Sequence, residues 1–376
     1  MRAFATLAFF ASLAAAAAAQ ENAPIVVGVA APLSDAQEIL GRQLTAGVEA
    51  ALAARNGEAR TVVADTSCSA KGGETAARSF VEKKASIVVG FLCVEAIEAA
   101  LPILKEAGIA TIDVGVRENR LTDDKPKTGY LIYRLAPRSE AEAVAVSRYI
   151  AARWADQPFG LIEDGSIAAR GLVDQLRRRL GDEGLKPQTL DNYRPAEEKQ
   201  FGLARRLQRT GVTRFFIAGD RPDIAIIARD AKESGLKLTI VGAEGLFDEA
   251  SVDAPLPAGI IAIGPKTQFP ELSPDTRATP QETAGADGEA DAAASEDPGA
   301  LPPQGYFGPG YAAAEIGVDA VIGSRENDKP VADALSSQSF ATALGPVRFD
   351  ENGDSDFDLF RVFEWRGDEF VDETGG

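Results

Sequence analysis

The stretch from Ser86 to Thr122 constrains the fold more than any other part of the chain. Ile87-Val88-Val89-Gly90-Phe91-Leu92 is a short, unbroken apolar run, as expected of a strand buried on both faces. Cys93 closes it. Glu95 to Gly108 then repeats at helical spacing, with Ile97, Ala100, Leu101 and Leu104 on one face and Gly108 as the stop. Ile109 to Val114 is a second β-rich run, and the polar loop Gly115-Val116-Arg117-Glu118-Asn119 follows it. Strand, helix and strand in so little chain make one βαβ unit, whose strands run parallel. Such sheets bind ligands beyond the carboxyl ends of their strands, where loops and helix N-termini converge. Cys93, Val94 and Glu95, and then Val116 and Arg117, are expected at that edge.

The same alternation runs along most of the chain. Ile25–Ala30, Thr61–Asp65 and Leu131–Leu135 read as strands, with helices over Ile39–Ala54 and Gly73–Lys84 and from a Ser139 cap to Ala155. A second series begins at Pro158. Its strands are Phe159–Ile162, Arg214–Ala218, Leu238–Val241 and Ile260–Ile263, with helices over Ile167–Gly181 and Pro222–Ser234. The fold class is therefore α/β, with parallel-sheet cores in two tandem series. Pro270 to Pro303 breaks the pattern. It is rich in Pro, Ala, Gly and acidic residues, has no apolar period, and reads as a disordered acidic surface insertion. Helices return over Pro309–Ile322 and Val331–Leu344. Gly345–Phe349 and Phe357–Trp365 then read as strands, and Asn352-Gly353 between them predicts a hairpin.

Charge and composition limit the chemistry. A net charge of -18 makes nucleic acid or an anionic membrane surface a poor partner. The chain has no histidine, which removes Ser-His-Asp and Cys-His catalysis and the commonest zinc ligand. Met1-Arg2, the apolar run Ala3–Ala16 and the small residues Ala17-Ala18-Ala19 match a secretory signal peptide, 1–19. No cysteine follows that run, so no lipid anchor on a mature N-terminal Cys is available. The mature protein is expected in the periplasm. Cys68 and Cys93 each end an apolar run, and adjacent parallel strands would bring them together. They read as a disulfide or as two buried thiols. A bond closing that loop would stabilise by roughly 3.5 kcal/mol in the chain-entropy model. Two thiols without histidine argue against a metal, and no cofactor is expected.

In the order of its parts the chain resembles the leucine/isoleucine/valine-binding branch of the type I periplasmic solute-binding proteins of ABC importers. The resemblance rests on Val89-Gly90-Phe91-Leu92-Cys93 with the upstream Cys68, on the loop Gly115 to Thr122, and on Gly242-Ala243-Glu244-Gly245. Gly345-Pro346-Val347-Arg348-Phe349-Asp350 running into Phe363-Glu364-Trp365 completes it. It implies two Rossmann-like lobes joined by three crossings: residues 24–136 with 265–344, and 137–264 with 345–376. It also implies a Cys68–Cys93 disulfide, a ligand cleft that closes by a hinge, a membrane ABC permease as partner, and a monomer. The pocket departs from the family pattern. Where amino-acid-binding members hold the ligand carboxylate with hydroxyls, this chain has Val94-Glu95 and Val116-Arg117. Ala168 stands where an aromatic is expected, and Asp220-Arg221 where tyrosines are. Glu244 is kept, and in the family that acid meets the ligand ammonium. A guanidinium at Arg117 or Arg221 could clamp a carboxylate in place of hydroxyls, because its fork matches that group. The alternative is a rim charge paired with Glu95, Glu118 or Asp220.

The function expected is capture of a small amino-acid-like, amide or carboxylate solute for import. A second reading is a periplasmic ligand sensor that docks on a membrane receptor. A third is a carboxylate-dependent hydrolase built on Glu95, Glu163, Asp164 or Glu244; no spacing requires it, and no enzyme is expected.

Overall fold

A computed structural model describes residues 24–55, 57–248, 255–273 and 301–373. Residues 1–19, expected to be a signal peptide, and residues 274–300 of the acidic stretch lie outside them. The chain divides into two units, residues 1–137 with 267–357 and residues 138–266 with 358–376.

The first unit opens with β1 (Ile25–Ala31), α1 (Glu38–Ala53), β2 (Ala59–Asp65), α2 (Ala70–Glu82), β3 (Ile87–Gly90) and α3 (Val94–Glu106). It continues with β4 (Thr111–Asp113), the single turns α4 (Arg120–Asp123) and α5 (Lys125–Thr128), and β5 (Ile132–Arg134). These strands form one parallel sheet in the order β2-β1-β3-β4-β5. Every residue of β1 and β3 is buried, which is why both read as apolar runs without alternation. Ser69 caps α2 by accepting the Gly72 N–H at 3.1 Å. Phe80 of α2 packs on β1 because position 28 is glycine: a Cβ there would stand 2.9 Å from its ring.

The second unit follows with α6 (Ala141–Trp154), β6 (Gly160–Glu163), α7 (Ile167–Asp182), β7 (Thr189–Asn192), α8 (Phe201–Thr210), β8 (Arg214–Ala218), α9 (Arg221–Glu233), β9 (Thr239–Gly242) and β10 (Ile261–Pro265). The chain returns to the first unit for α10 (Phe307–Asn327), α11 (Val331–Ser337), β11 (Ser339–Thr342) and β12 (Gly345–Arg348). It ends in the second with β13 (Phe360–Trp365) and β14 (Phe370–Asp372). The second sheet has the order β14-β13-β10-β9-β8-β6-β7. It is parallel from β7 to β10, and β13 and β14 are added antiparallel.

Several expectations need correction, each for a physical reason. The helix read over Val331–Leu344 stops at Ser337, and Ser339–Thr342 becomes β11, which pairs with β12 and buries Phe340. The Asn352-Gly353 hairpin does not join the flanking strands, since β12 pairs with β11 and β13 with β10. Across that turn Phe349 bridges Ser355 and the Asp356 N–H donates to the Arg348 carbonyl at 3.0 Å, short of β13. Residues 345–357 accordingly belong to the first unit, not to 345–376 of the second lobe. The helix after Ser139 takes Glu140 as its N-cap residue, with no side-chain cap bond.

What ties 350–355 to the first unit is a buried ion pair. Arg134 at the end of β5 is fully buried, and its guanidinium donates to Asp354 Oδ1 (Nε 2.7 Å), the Glu118 carbonyl (2.9 Å) and Thr122 Oγ1 (2.8 Å). Thr122 in turn donates to Asp354 Oδ2 at 3.1 Å. The backbone completes the clasp: Arg134 N–H donates to the Gly353 carbonyl at 2.7 Å, and Ser355 N–H to the Arg134 carbonyl at 3.0 Å. Removing one partner of such a pair strands a charge in low dielectric. Asp354→Ala should therefore cost about 3–5 kcal/mol in urea unfolding; an unchanged midpoint would show that the clasp holds nothing.

Candidate functional site

In each parallel sheet the chain crosses over one strand and reverses the strand order. The reversal falls between β1 and β3 in the first unit and between β6 and β8 in the second. Ligands bind outside the carboxyl ends of strands at such points.

In the first unit the loops after β1, β2 and β3 meet at that edge. Asp65, ending β2, accepts N–H groups of Leu33 and Ser67, both at 2.8 Å. Partial burial pushes its carboxyl up, but these bonds, with the Ser34 and Ser67 hydroxyls, prevail and hold it below the usual range. Asp35, Ser67, Cys68 and Phe91 all have positive φ, four of the seven such non-glycine residues among those described. Left-handed backbone is costly for these side chains, and so much of it at one edge marks a place where geometry is imposed. The structure pairs Cys68 with Cys93, Cα atoms 5.2 Å apart. Their strands are not adjacent, as expected from sequence, but flank β1. The tie is possible because α2 and α3 pack closely: a Cβ on Gly73 would stand 2.0 Å from the Ala96 carbonyl oxygen.

Cys93 is the N-cap residue of α3, with Val94 and Glu95 in its first turn. Val94 packs partly against the core, and Glu95 is exposed. Val116 is 2% exposed and its side chain belongs to the core. Its neighbour Arg117 is half-buried on the same loop. Asp113 sets that loop by accepting the N–H groups of Val116 (3.0 Å) and Gly115 (3.3 Å). Burial pushes the Asp113 carboxyl up to about 8, against the pull of the Val116 N–H and of Arg134.

The second edge is different in character. Glu163 ends β6; it accepts the Gly165 N–H and stands 3.7 Å from Arg170. Ser166 caps α7 by accepting the Ala169 N–H at 3.1 Å. Ala168 is exposed in the first turn of α7, but Ile167 beside it is 92% exposed and is the apolar side chain on offer there. Sequence reading passes over Ile167 because the expected aromatic falls one position later. It also passes over Tyr193 after β7, a strand with too polar a pattern to recognise. Asp220 is exposed at the N-cap of α9. Arg221 follows it, but its guanidinium lies over the Trp365 ring, 4.6 Å from the centroid. Arg221 Nε is buried without a hydrogen-bond partner. Glu244 is half-buried on the 3₁₀ turn after β9, and its N–H donates to Glu142 Oε1 at 2.8 Å. A cavity of about 570 Å³ beside this edge is lined by Asp164, Asn192, Tyr193 and Arg206 among others. Among the described residues no group of three or more Cys, His, Asp or Glu could hold a metal ion, and no helix is long and apolar enough to cross a membrane.

Comparison with known proteins agrees with this architecture. The profile of a family described as periplasmic binding protein matches residues 24–369. A Leu/Ile/Val-binding protein homolog of Brucella abortus is 26% identical over 355 residues, 92% of this chain and 91% of that protein. The leucine-, isoleucine-, valine-, threonine- and alanine-binding protein of Pseudomonas aeruginosa is 25% identical over 312 residues, 82% of this chain and 79% of that one. An ABC transporter substrate-binding protein from Desulfitobacterium hafniense, solved in complex with Leu, superposes with a TM-score of 0.65 at 19% identity, over 93% of this chain and all of that one. At that identity the likeness speaks for the fold.

Asp113 sets a pH dependence. Its folded value lies above its ordinary 3.8, so the folded state keeps a proton that the unfolded chain releases. Its contribution is fully present in acid, declines as pH rises above about 4, and is lost past about 8. Asp113→Asn should remove that decline in urea unfolding measured from pH 4.5 to 8.5; an unaltered slope would assign it to other groups.

Proposed function

The chain belongs to the periplasmic binding protein family, and from that premise we propose that it captures a small amino-acid-like, amide or carboxylate solute in the periplasm and delivers it to the membrane permease of an ABC importer. One observation carries this reading. The family match runs from residue 24 to residue 369 and so takes in both units, with their two sheet edges. Relatives named for branched-chain and small amino acids support an amino-acid-like solute. The protein binds and releases the solute without changing it, as a single chain.

The family resemblance implies hydroxyls where a carboxylate is taken, and this chain lacks them. With valines and an exposed Glu95 in place of hydroxyls, Arg117 is the first-unit group suited to a carboxylate, through two charge-assisted hydrogen bonds. Glu244, on the second-unit edge, takes an ammonium group.

A solute bound only by the folded protein raises its melting temperature. At a hundred times its Kd it adds about 2.7 kcal/mol. A thermal-shift screen against amino acids, amides and small mono- and dicarboxylates should show such a shift, and Arg117→Ala should abolish it for solutes that carry a carboxylate. A panel without any shift would overturn the solute-binding reading. A shift that survives the substitution would remove Arg117 from the site and leave solute binding in place.

A further inference from the structure

We propose that the carboxyl edge of the second unit holds a cation subsite, formed by Asp164, Asp220 and the Tyr193 hydroxyl, which takes an ammonium or guanidinium group of the solute in addition to the group assigned to Glu244. The proposal rests on the solute-binding reading and narrows it to basic solutes, such as dibasic amino acids or diamines.

Asp164 follows β6 and Asp220 follows β8, the two strands between which the sheet order reverses. A parallel sheet offers a ligand its crevice there.

Tyr193 is 5% exposed, and its hydroxyl is buried without a hydrogen-bond partner. A buried polar group in that condition is costly, so one held at a binding edge calls for a partner. The hydroxyl lies against Gly219: a Cβ at position 219 would fall 1.8 Å from Tyr193 Oη and 3.5 Å from Asp164 Cβ. It is therefore lodged between the loops that carry Asp164 and Asp220.

Burial, and then the charges of Asp223, Asp164, Asp220 and Glu163, push the proton affinity of the Tyr193 phenol up. Asp223 is itself pushed up, by burial and then by Asp220 and Asp164. Asp164 Oδ1 accepts the Ser166 N–H at 2.7 Å, and Asp223 Oδ1 accepts the Ala196 N–H at 2.9 Å. Asp220 occupies an N-cap position, where a carboxylate ordinarily accepts a helix N–H, and makes no such bond. Lys199 also lines the adjoining cavity, and Arg221 Nε is buried without a hydrogen-bond partner, but most nearby guanidinium groups have an acidic or aromatic neighbour. Arg170 faces Glu163 at 3.7 Å, Arg194 faces Glu197 at 3.6 Å, Arg206 pairs with Asp191 at 3.0 Å, and Arg221 stacks on Trp365. Two carboxylates and a phenol oxygen match the N–H groups of an organic cation. The subsite adjoins the Glu244 turn, since a Cβ on Gly245 would stand 3.9 Å from Asp220 Oδ1. A solute with two cationic groups is thus met at two neighbouring points.

Matched pairs that differ in one charge test this: L-lysine against L-norleucine, and L-arginine against L-citrulline, titrated calorimetrically. The purified protein should prefer the cationic member by about tenfold or more. Asp220→Asn and Asp164→Asn should each erase most of that preference, and Tyr193→Phe should lower it severalfold. Binding of both members with equal affinity would overturn the subsite and leave the solute-binding reading standing, as would a preference that persists in Asp220→Asn. A second measurement decides the matter if none of the four binds. n-Butylammonium chloride is titrated against the protein and followed by amide NMR shifts at Asp164, Gly219 and Asp220, with sodium chloride at equal ionic strength as reference. Saturable shifts that Asp220→Asn abolishes uphold the subsite, and their absence overturns it.

Discussion

A fully buried guanidinium must have partners, and the first unit is arranged around meeting that demand for Arg134. The partners come from distant parts of the chain: Asp354 from the return segment, Thr122 and the Glu118 carbonyl from the loop after β4. One side chain thus joins an edge strand, a late segment and the loop that carries Arg117. An ion pair of this kind need not add stability over an apolar replacement, but losing half of it is expensive. Its effect is on arrangement, because the loop after β4 cannot move far without unpairing Arg134. Asp113, opposite Arg134 in the sheet register, holds the start of the same loop through the Gly115 and Val116 N–H groups.

The two units share a sheet plan but differ at their edges. In the first, backbone strain is concentrated beside a disulfide and a helix N-terminus, and the half-buried cation Arg117 follows β4. In the second, carboxylates follow β6, β8 and β9, and an apolar Ile167 stands in the open. The contrast is chemical and not architectural, which is how one fold serves different solutes. The first edge carries a guanidinium and the second an aspartate and a stacked arginine, on strands of the same parallel plan.

Much of the fold was legible because parallel strands announce themselves. Ile87–Leu92 and Ile25–Ala30 are unbroken apolar runs because both faces of those strands are buried. β7, with the sequence Thr-Leu-Asp-Asn, lies half in solvent and carries no such mark, so Tyr193 behind it went unread. The run Val331–Leu344 has enough Ala and Leu for a helix throughout. Tertiary pairing overrides that preference at Ser339, where Phe340 is buried only as part of a strand. Ala168, Asp220 and Glu244 stood out through the family resemblance, and Glu95 and Arg117 could be placed at a sheet edge from strand positions. The direction of each side chain could not: Val116 turns into the core, and Arg221 lies on Trp365.

The sequence by itself determined the α/β class, the two series of parallel strands and the edges on which chemistry could stand. These follow from local periodicity and from glycine and cysteine positions, which act over a few residues. Only the tertiary structure decided that residues 345–357 join the first unit, that Cys68 and Cys93 meet across β1 between their strands, and that Tyr193 is lodged among carboxylates. Each of these depends on pairing between segments far apart in the chain. A strand records in its own sequence that it must be buried, but not which distant partner will bury it.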